Sequence, residues 1–470
     1  MKQLHIYYLL YFLCTTLYTS THSTIANVCC PNINISTNNK VRLTFFVHGI
    51  MSIKPHLSFS NFMRFITDRI EETLYSETVK YMREDDFFFK NQAMQEIGLH
   101  KVDPDRIEKG YASGLVARQF NMIEKLTNPH CNYDNHYYTY GWYGLLSTRI
   151  RYYDAIPLYR SITAEVTKFR AQGIDPEVRV IGYSHGGNVC LNLGAVRQNE
   201  DVDQTIKIDE LIMLGAPIQC ETDFLLADPI FKRAYQIYSR GDRIQKLDFF
   251  STKRFFSRRR FSERKYFKLP EKLTQIQLRM TRSVQGKHRT ELPCFNPNDV
   301  PSISGKSKRF RDASPGHIEL WFYGWTPANY RQNFILEPLP FMIFLPYLLD
   351  QINQNLCRAQ APNPKQPIIM DIRPEYEHMI IKNQKSWKDV TIVEFFNKQT
   401  INKLKEMVKP CIPDCYDIEE YDEHIEASLE KARQDKEKRD LIYKGRKRRR
   451  RAERKYRKKK RHPFSATLIS

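Results

Sequence analysis

Long apolar runs are scarce in this 470-residue chain. Beyond the first two dozen residues nothing approaches the ~18 consecutive apolar residues that a membrane-spanning helix needs, which excludes a polytopic membrane protein. The nearest stretch, Phe334 to Leu349, is broken by Glu337 and three prolines. Zinc-site spacing is missing too. Cys411 and Cys415 stand close together and Cys29 and Cys30 are adjacent, but neither pair has a complementary Cys or His pair, so a structural zinc is set aside. Disulfides are the better use of the ten cysteines. Cys14 falls in the apolar leader, the remaining number is odd, and the pairing stays open. No internal repeat is found. Acidic charge is scarce where basic charge is densest: Lys444 to Arg461 holds fourteen Lys or Arg against one Glu, more than half of the net charge of +21. A tail, rather than the body of the chain, therefore sets the pI of about 9.4. With 41% hydrophobic and 13% aromatic residues the body has the material for a packed core, and disorder is excluded for it.

The first residues read as a targeting segment. Lys2 supplies a positive start, an apolar and aromatic run covers Ile6 to Leu17, and small and hydroxyl residues follow to Ala26. Residues 1–26 are expected to be a signal peptide, the run being short and its end polar for a membrane span. An uncleaved N-terminal anchor is the alternative. Either implies export, to a secreted, periplasmic or envelope-associated location.

Further along, Val41 to Val47 is β-branched and aromatic and reads as a buried strand ending in His48-Gly49. Helical spacing marks 59–83, whereas 84–134 is charged, weakly periodic and unassigned. Strands are expected at Tyr137–Trp142, Val178–Tyr183, Glu210–Leu214, Ala234–Tyr238 and Gln275–Met280. A long helix to about Arg170 and another over Asn188–Arg197 fall between them. Strands alternating with helices predict an α/β fold with a largely parallel sheet and helices on both faces.

The sharpest local signal is Gly182-Tyr-Ser184-His-Gly186, which ends one expected strand and opens one expected helix. A serine on so tight a turn needs flanks without bulk, which Gly182 and Gly186 supply, and the helix start behind it favours negative charge. Three further features stand in order around it. These are His48-Gly49 after a strand, Asp242 in Tyr-Ser-Arg-Gly-Asp just past a strand, and His317 in Ser-Pro-Gly-His-Ile-Glu after the last expected strand. On these residues the region from Val41 to about Leu356 resembles the α/β-hydrolase superfamily, and within it lipases and esterases. The resemblance implies an α/β-hydrolase fold and a triad of Ser184 as nucleophile, His317 as general base and Asp242 as its orienting acid. It also implies an oxyanion hole from the backbone N–H of His185 with that of Ile50 or Met51. Asp223 is the alternative acid, and His288, set between Lys and Arg, the lesser candidate base. His48 reads as structural or as an orienter of the oxyanion loop.

The expected organisation is a catalytic domain over 41–356 with a basic insertion near 250–312, a small appendage over 368–415, and a charged, strongly basic tail over 416–470, partly helical and solvated. The function implied is hydrolysis of carboxylic esters, of lipid or acyl type, through an acyl-enzyme, with no metal or organic cofactor. Cations interleaved with aromatics in 253–268 suit an anionic membrane surface, as does the 444–461 run, though a solvated basic loop accounts for the former equally well. Export makes nucleic acid the less suitable partner. A non-catalytic hydrolase-fold binding protein, held to an anionic surface by its tail, is the alternative function. Oligomeric state is not legible.

Overall fold

The structure is a computed structural model. It describes residues 40–51, 68, 70–71, 73–108, 110–129, 133–242, 244–246, 257–283, 310–312, 314–324, 334–358, 363–383, 390–410 and 418–460. The expected signal peptide (1–26), His288, much of the 250–312 insertion and the cysteine pairs at 29–30 and 411–415 lie outside these residues. So do Lys253 to Phe256 and Arg461.

The centre is an eleven-stranded sheet. Its strands are β1 (Lys40–Val47), β2 (Gly98–Val102), β3 (Tyr133–Gly141), β4 (Glu177–Tyr183), β5 (Ile208–Leu214), β6 (Phe231–Ser239), β7 (Leu273–Ser283), β8 (Phe310–Asp312), β9 (Ile368–Arg373), β10 (His378–Asn383) and β11 (Val390–Glu394). The order is β11-β10-β9-β7-β6-β5-β4-β1-β3-β2, with β8 attached to β7. From β3 to β9 along this path every pairing is parallel, while β2, β8, β10 and β11 join antiparallel. The fold is thus α/β with a mostly parallel sheet.

Alternation along the strands feeds two cores. In β1, Val41, Leu43, Phe45 and Val47 face one side and Phe46 the other. Helices α3 (Thr148–Arg170) and α4 (His185–Asn199) cover the first side, burying Leu158, Ile162, Leu191 and Leu193. Helices α2 (Ala112–Thr127), α5 (Leu345–Arg358) and α6 (Lys398–Val408) cover the second with Leu115, Phe120, Leu348 and Leu404. Continuously buried strands covered on both faces are what a parallel sheet requires.

Two regions depart from expectation. Residues 368–394, expected in a small appendage beyond the last strand, extend the central sheet, because β9 pairs in parallel with β7 and β10 and β11 follow it. The tail is one long helix, α7 (Ile418–Lys460), and one face of its first half is buried rather than solvated. It packs on α1 (Leu74–Met82), burying Ile425, Ser428, Leu429 and Ala432, whereas 440–457 are exposed. Among the described residues, no helix is long and apolar enough to cross a membrane.

Candidate active site

The site lies where parallel strands end. Ser184 follows β4 and precedes α4, with φ 50° and ψ −129°. A side-chain-bearing residue avoids this region because Cβ crowds the backbone, at a cost of about 1–3 kcal/mol. The surroundings hold it there. Ser184 N–H donates to Leu214 O (2.9 Å), and Gly187 N–H donates to Ser184 O (3.0 Å). The flanking glycines are required by close approach. A Cβ on Gly186 would sit 2.2 Å from His48 O, and one on Gly182 would sit 2.7 Å from the Gly187 Cα.

His317 reaches the serine from the loop after β8. Its Nε2 is 2.8 Å from Ser184 Oγ, and its Nδ1 is 2.7 Å from Asp242 Oδ2. Asp242, fully buried past the end of β6, accepts from Gln245 N–H through Oδ1 (3.2 Å). A carboxylate accepts, so Nδ1 carries the proton and Nε2 presents its lone pair to the hydroxyl. Ser184, His317 and Asp242 are therefore brought together in the arrangement expected of them. Asp223 is not. It pairs with Arg264, and burial pushes its carboxyl up to about 6 despite that cation.

The loop after β1 faces the serine from the other side: a Cβ on Gly49 would lie 2.9 Å from Ser184 Cβ. Of the two residues expected to offer an N–H here, Met51 is engaged, donating to Gly144 O (3.1 Å). The Ile50 N–H has no acceptor among the described residues, so of the two it is the one left to donate. The His185 N–H opens α4, where helix N–H groups point outward along the axis. The His185 ring is turned away to Arg151, whose Nη1 donates to Nδ1 (2.9 Å).

His48 is bonded within its own loop and to Trp142. Its Nε2 accepts from Trp142 N–H (3.1 Å), so Nδ1 donates to Gly49 O (2.6 Å), and the indole of Trp142 donates to His48 O (2.7 Å). Burial, then the Arg83 cation, hold this imidazole neutral by lowering its pKa well below the usual range. A neutral, fixed ring tethers the Gly49 carbonyl and with it the loop that carries Ile50.

Several supporting residues carry no sequence signal. Tyr183 donates to His317 O (2.9 Å) and stacks on Trp321 at 5.1 Å, fixing the histidine loop against the elbow. Arg259 donates to the backbone carbonyls of Arg240 and Asp242 and so braces the acid's turn. Glu319 is a second buried carboxyl nearby; burial, and then the charge of Asp242, raise its pKa. In the expected membrane-facing loop, Phe261 and Phe267 are buried while Tyr266 is exposed. Those two rings therefore fill the core, and among the loop's described aromatics the tyrosine is the one presented to solvent.

Among the described residues no group of three or more His, Cys, Asp or Glu could hold a metal ion. The described thiols, Cys190 and Cys220, are free. Chemically, the arrangement can move a proton from Ser184 Oγ to His317 Nε2 while Asp242 holds the resulting imidazolium. No protein-family model, curated protein or solved structure matches the chain.

Proposed function

We propose that this chain is a serine hydrolase of the α/β-hydrolase fold that cleaves carboxylic esters of acyl or lipid type. The observation that carries the reading is the continuous Ser184–His317–Asp242 hydrogen-bonded series, at 2.8 and 2.7 Å, on a serine held at φ 50°. Neither the backbone strain nor the buried carboxylate adds to stability, and an unused serine has no need of either.

In this reaction His317 Nε2 takes the Oγ proton as Oγ bonds to the ester carbonyl carbon. The C=O electron pair moves onto oxygen, where the Ile50 and His185 N–H groups receive it, a contribution of roughly 3–4 kcal/mol per donor. Collapse breaks the bond to the alcohol oxygen, which takes the proton from His317 and leaves an acyl group on Ser184. Water then repeats the sequence, giving the free acid and restoring the hydroxyl. Asp242 keeps Nδ1 protonated throughout.

Purified protein is expected to hydrolyse p-nitrophenyl esters, and Ser184→Ala to lose that activity. Hydrolysis surviving in the variant would remove Ser184 as the nucleophile, and a folded wild type without hydrolysis would transfer the reading to a non-catalytic, surface-bound role. Export from the cell and attachment to an anionic surface through 444–461 belong to the same proposal. They rest on the leader and on the exposed basic half of α7.

A further inference from the structure

The half of α7 that is buried lies against the oxyanion loop. Tyr421, in its first turns, donates from its phenol to Met51 O (3.1 Å). Met51 is thereby held at both peptide groups, its N–H by Gly144 O and its carbonyl by Tyr421. Its sulfur lies 3.9 Å from Arg83 Nη1, and Arg83 caps α1, the helix on which α7 packs. Arg83 also approaches His48 Nε2 (3.4 Å). The C-terminal helix therefore reaches the Gly49–Met51 loop directly and through α1. One turn of helix further on, His424 stacks on Phe87 at 3.9 Å and pairs with Asp85 (2.6 Å), which fixes the height at which Tyr421 enters.

Tyr421 also walls a small cavity of about 30 Å³, room for a water or two, shared with Ile50, Met51, Phe88, Asn91 and Phe322. The cavity touches both halves of the site. Ile50 carries the oxyanion N–H, and Phe322 follows the histidine loop and meets Tyr183 edge-on at 6.1 Å. Tyr323 N–H, in turn, donates to Asn91 O on the cavity's polar edge (2.8 Å).

We propose that Tyr421 is a positioning residue for the oxyanion loop, so that the C-terminal helix acts on the active site. This rests on the hydrolase reading. Tyr421→Phe removes the bond to Met51 O and keeps the ring's packing. It is expected to slow both fluorophosphonate labelling of Ser184 and kcat about three- to tenfold, the range of one lost hydrogen bond. KM for p-nitrophenyl butyrate is expected to stay at its wild-type value and the urea midpoint to fall only slightly. Amide exchange over residues 48–51, which needs no turnover, is expected to be faster in Tyr421→Phe. Wild-type labelling rates with unchanged exchange in Tyr421→Phe would overturn the proposal while leaving the hydrolase reading intact. Faster exchange in a protein whose wild type never labels would uphold the latch and remove the hydrolase reading instead.

Discussion

Replacing Asp242 by Asn keeps shape and volume and inverts one hydrogen bond. The wild-type carboxylate accepts from His317 Nδ1 at 2.7 Å, inside a fully buried turn. Gln245 N–H holds its Oδ1 and Arg259 its backbone carbonyl, so the side chain has little room to rotate. An amide whose NH2 faces His317 requires Nδ1 to accept, which moves the ring proton to Nε2, 2.8 Å from Ser184 Oγ. A protonated Nε2 cannot receive the serine proton. The loss is expected to be about 10⁴-fold in kcat, or ~5 kcal/mol of transition-state stabilisation, with KM little changed. Ester hydrolysis measured beside urea unfolding checks this. Asp242→Asn within tenfold of wild type, in a protein that unfolds at the same urea concentration, would refute the tautomer argument and with it the role of Asp242.

Three further outcomes are expected. Gly186→Ala puts a Cβ against two backbone carbonyls, His48 O at 2.2 Å and Val47 O at 2.5 Å, neither of which yields cheaply. A destabilisation of about 3 kcal/mol or more in urea is expected; a midpoint equal to wild type would show the elbow to be looser than described. Burial pushes the Asp154 carboxyl up to about 7 from 3.8. Between those values the folded state binds more protons than the unfolded chain, so stability falls as pH rises through this window and is level above it. Asp154→Asn is expected to exceed wild type by about 2–4 kcal/mol at pH 8 and to match it near pH 4, and parallel pH profiles of the two proteins would contradict this. Ending the chain after Asp440 is expected to leave the unfolding midpoint unchanged while removing salt-sensitive binding to anionic vesicles. Ending it after Asp417 removes Ile425 and Leu429, uncovers the face of α1 on which they pack, and costs several kcal/mol. Equal midpoints for the two truncations would mean that α7 does not dock.

The parts of the site legible in the sequence are those the backbone itself demands. Gly182 and Gly186 mark a turn only small residues can make, and Asp242 and His317 each follow a strand or its loop, where a parallel sheet gathers its ends. Long-range partners left no such mark. β9 pairs with β7 across the unassigned insertion, and nothing local to Ile368–Arg373 distinguishes an added strand from an appendage. α2 buries Ser113, Gln119 and Glu124 along with its apolar residues, so its hydrophobic period is blurred and 84–134 read as patternless. Glu124 is buried because it meets Arg42 and Arg179, a pairing visible only once β1 and β4 are adjacent. Tyr421 stood in a run of charges that looked solvated, because Glu419 and Glu423, two positions to either side, face water while it faces Met51. Choosing between Ile50 and Met51 likewise needed Gly144, whose carbonyl takes the Met51 N–H.

The account turns on whether Ser184 is an activated nucleophile, and a fluorophosphonate probe asks that of the full-length protein without a guess at substrate. Mass spectrometry of the labelled protein is expected to place a single phosphonyl adduct on Ser184, lost in Ser184→Ala and formed far more slowly in Asp242→Asn. A well-folded wild type that takes no label, or takes it equally in Ser184→Ala, would contradict the central claim.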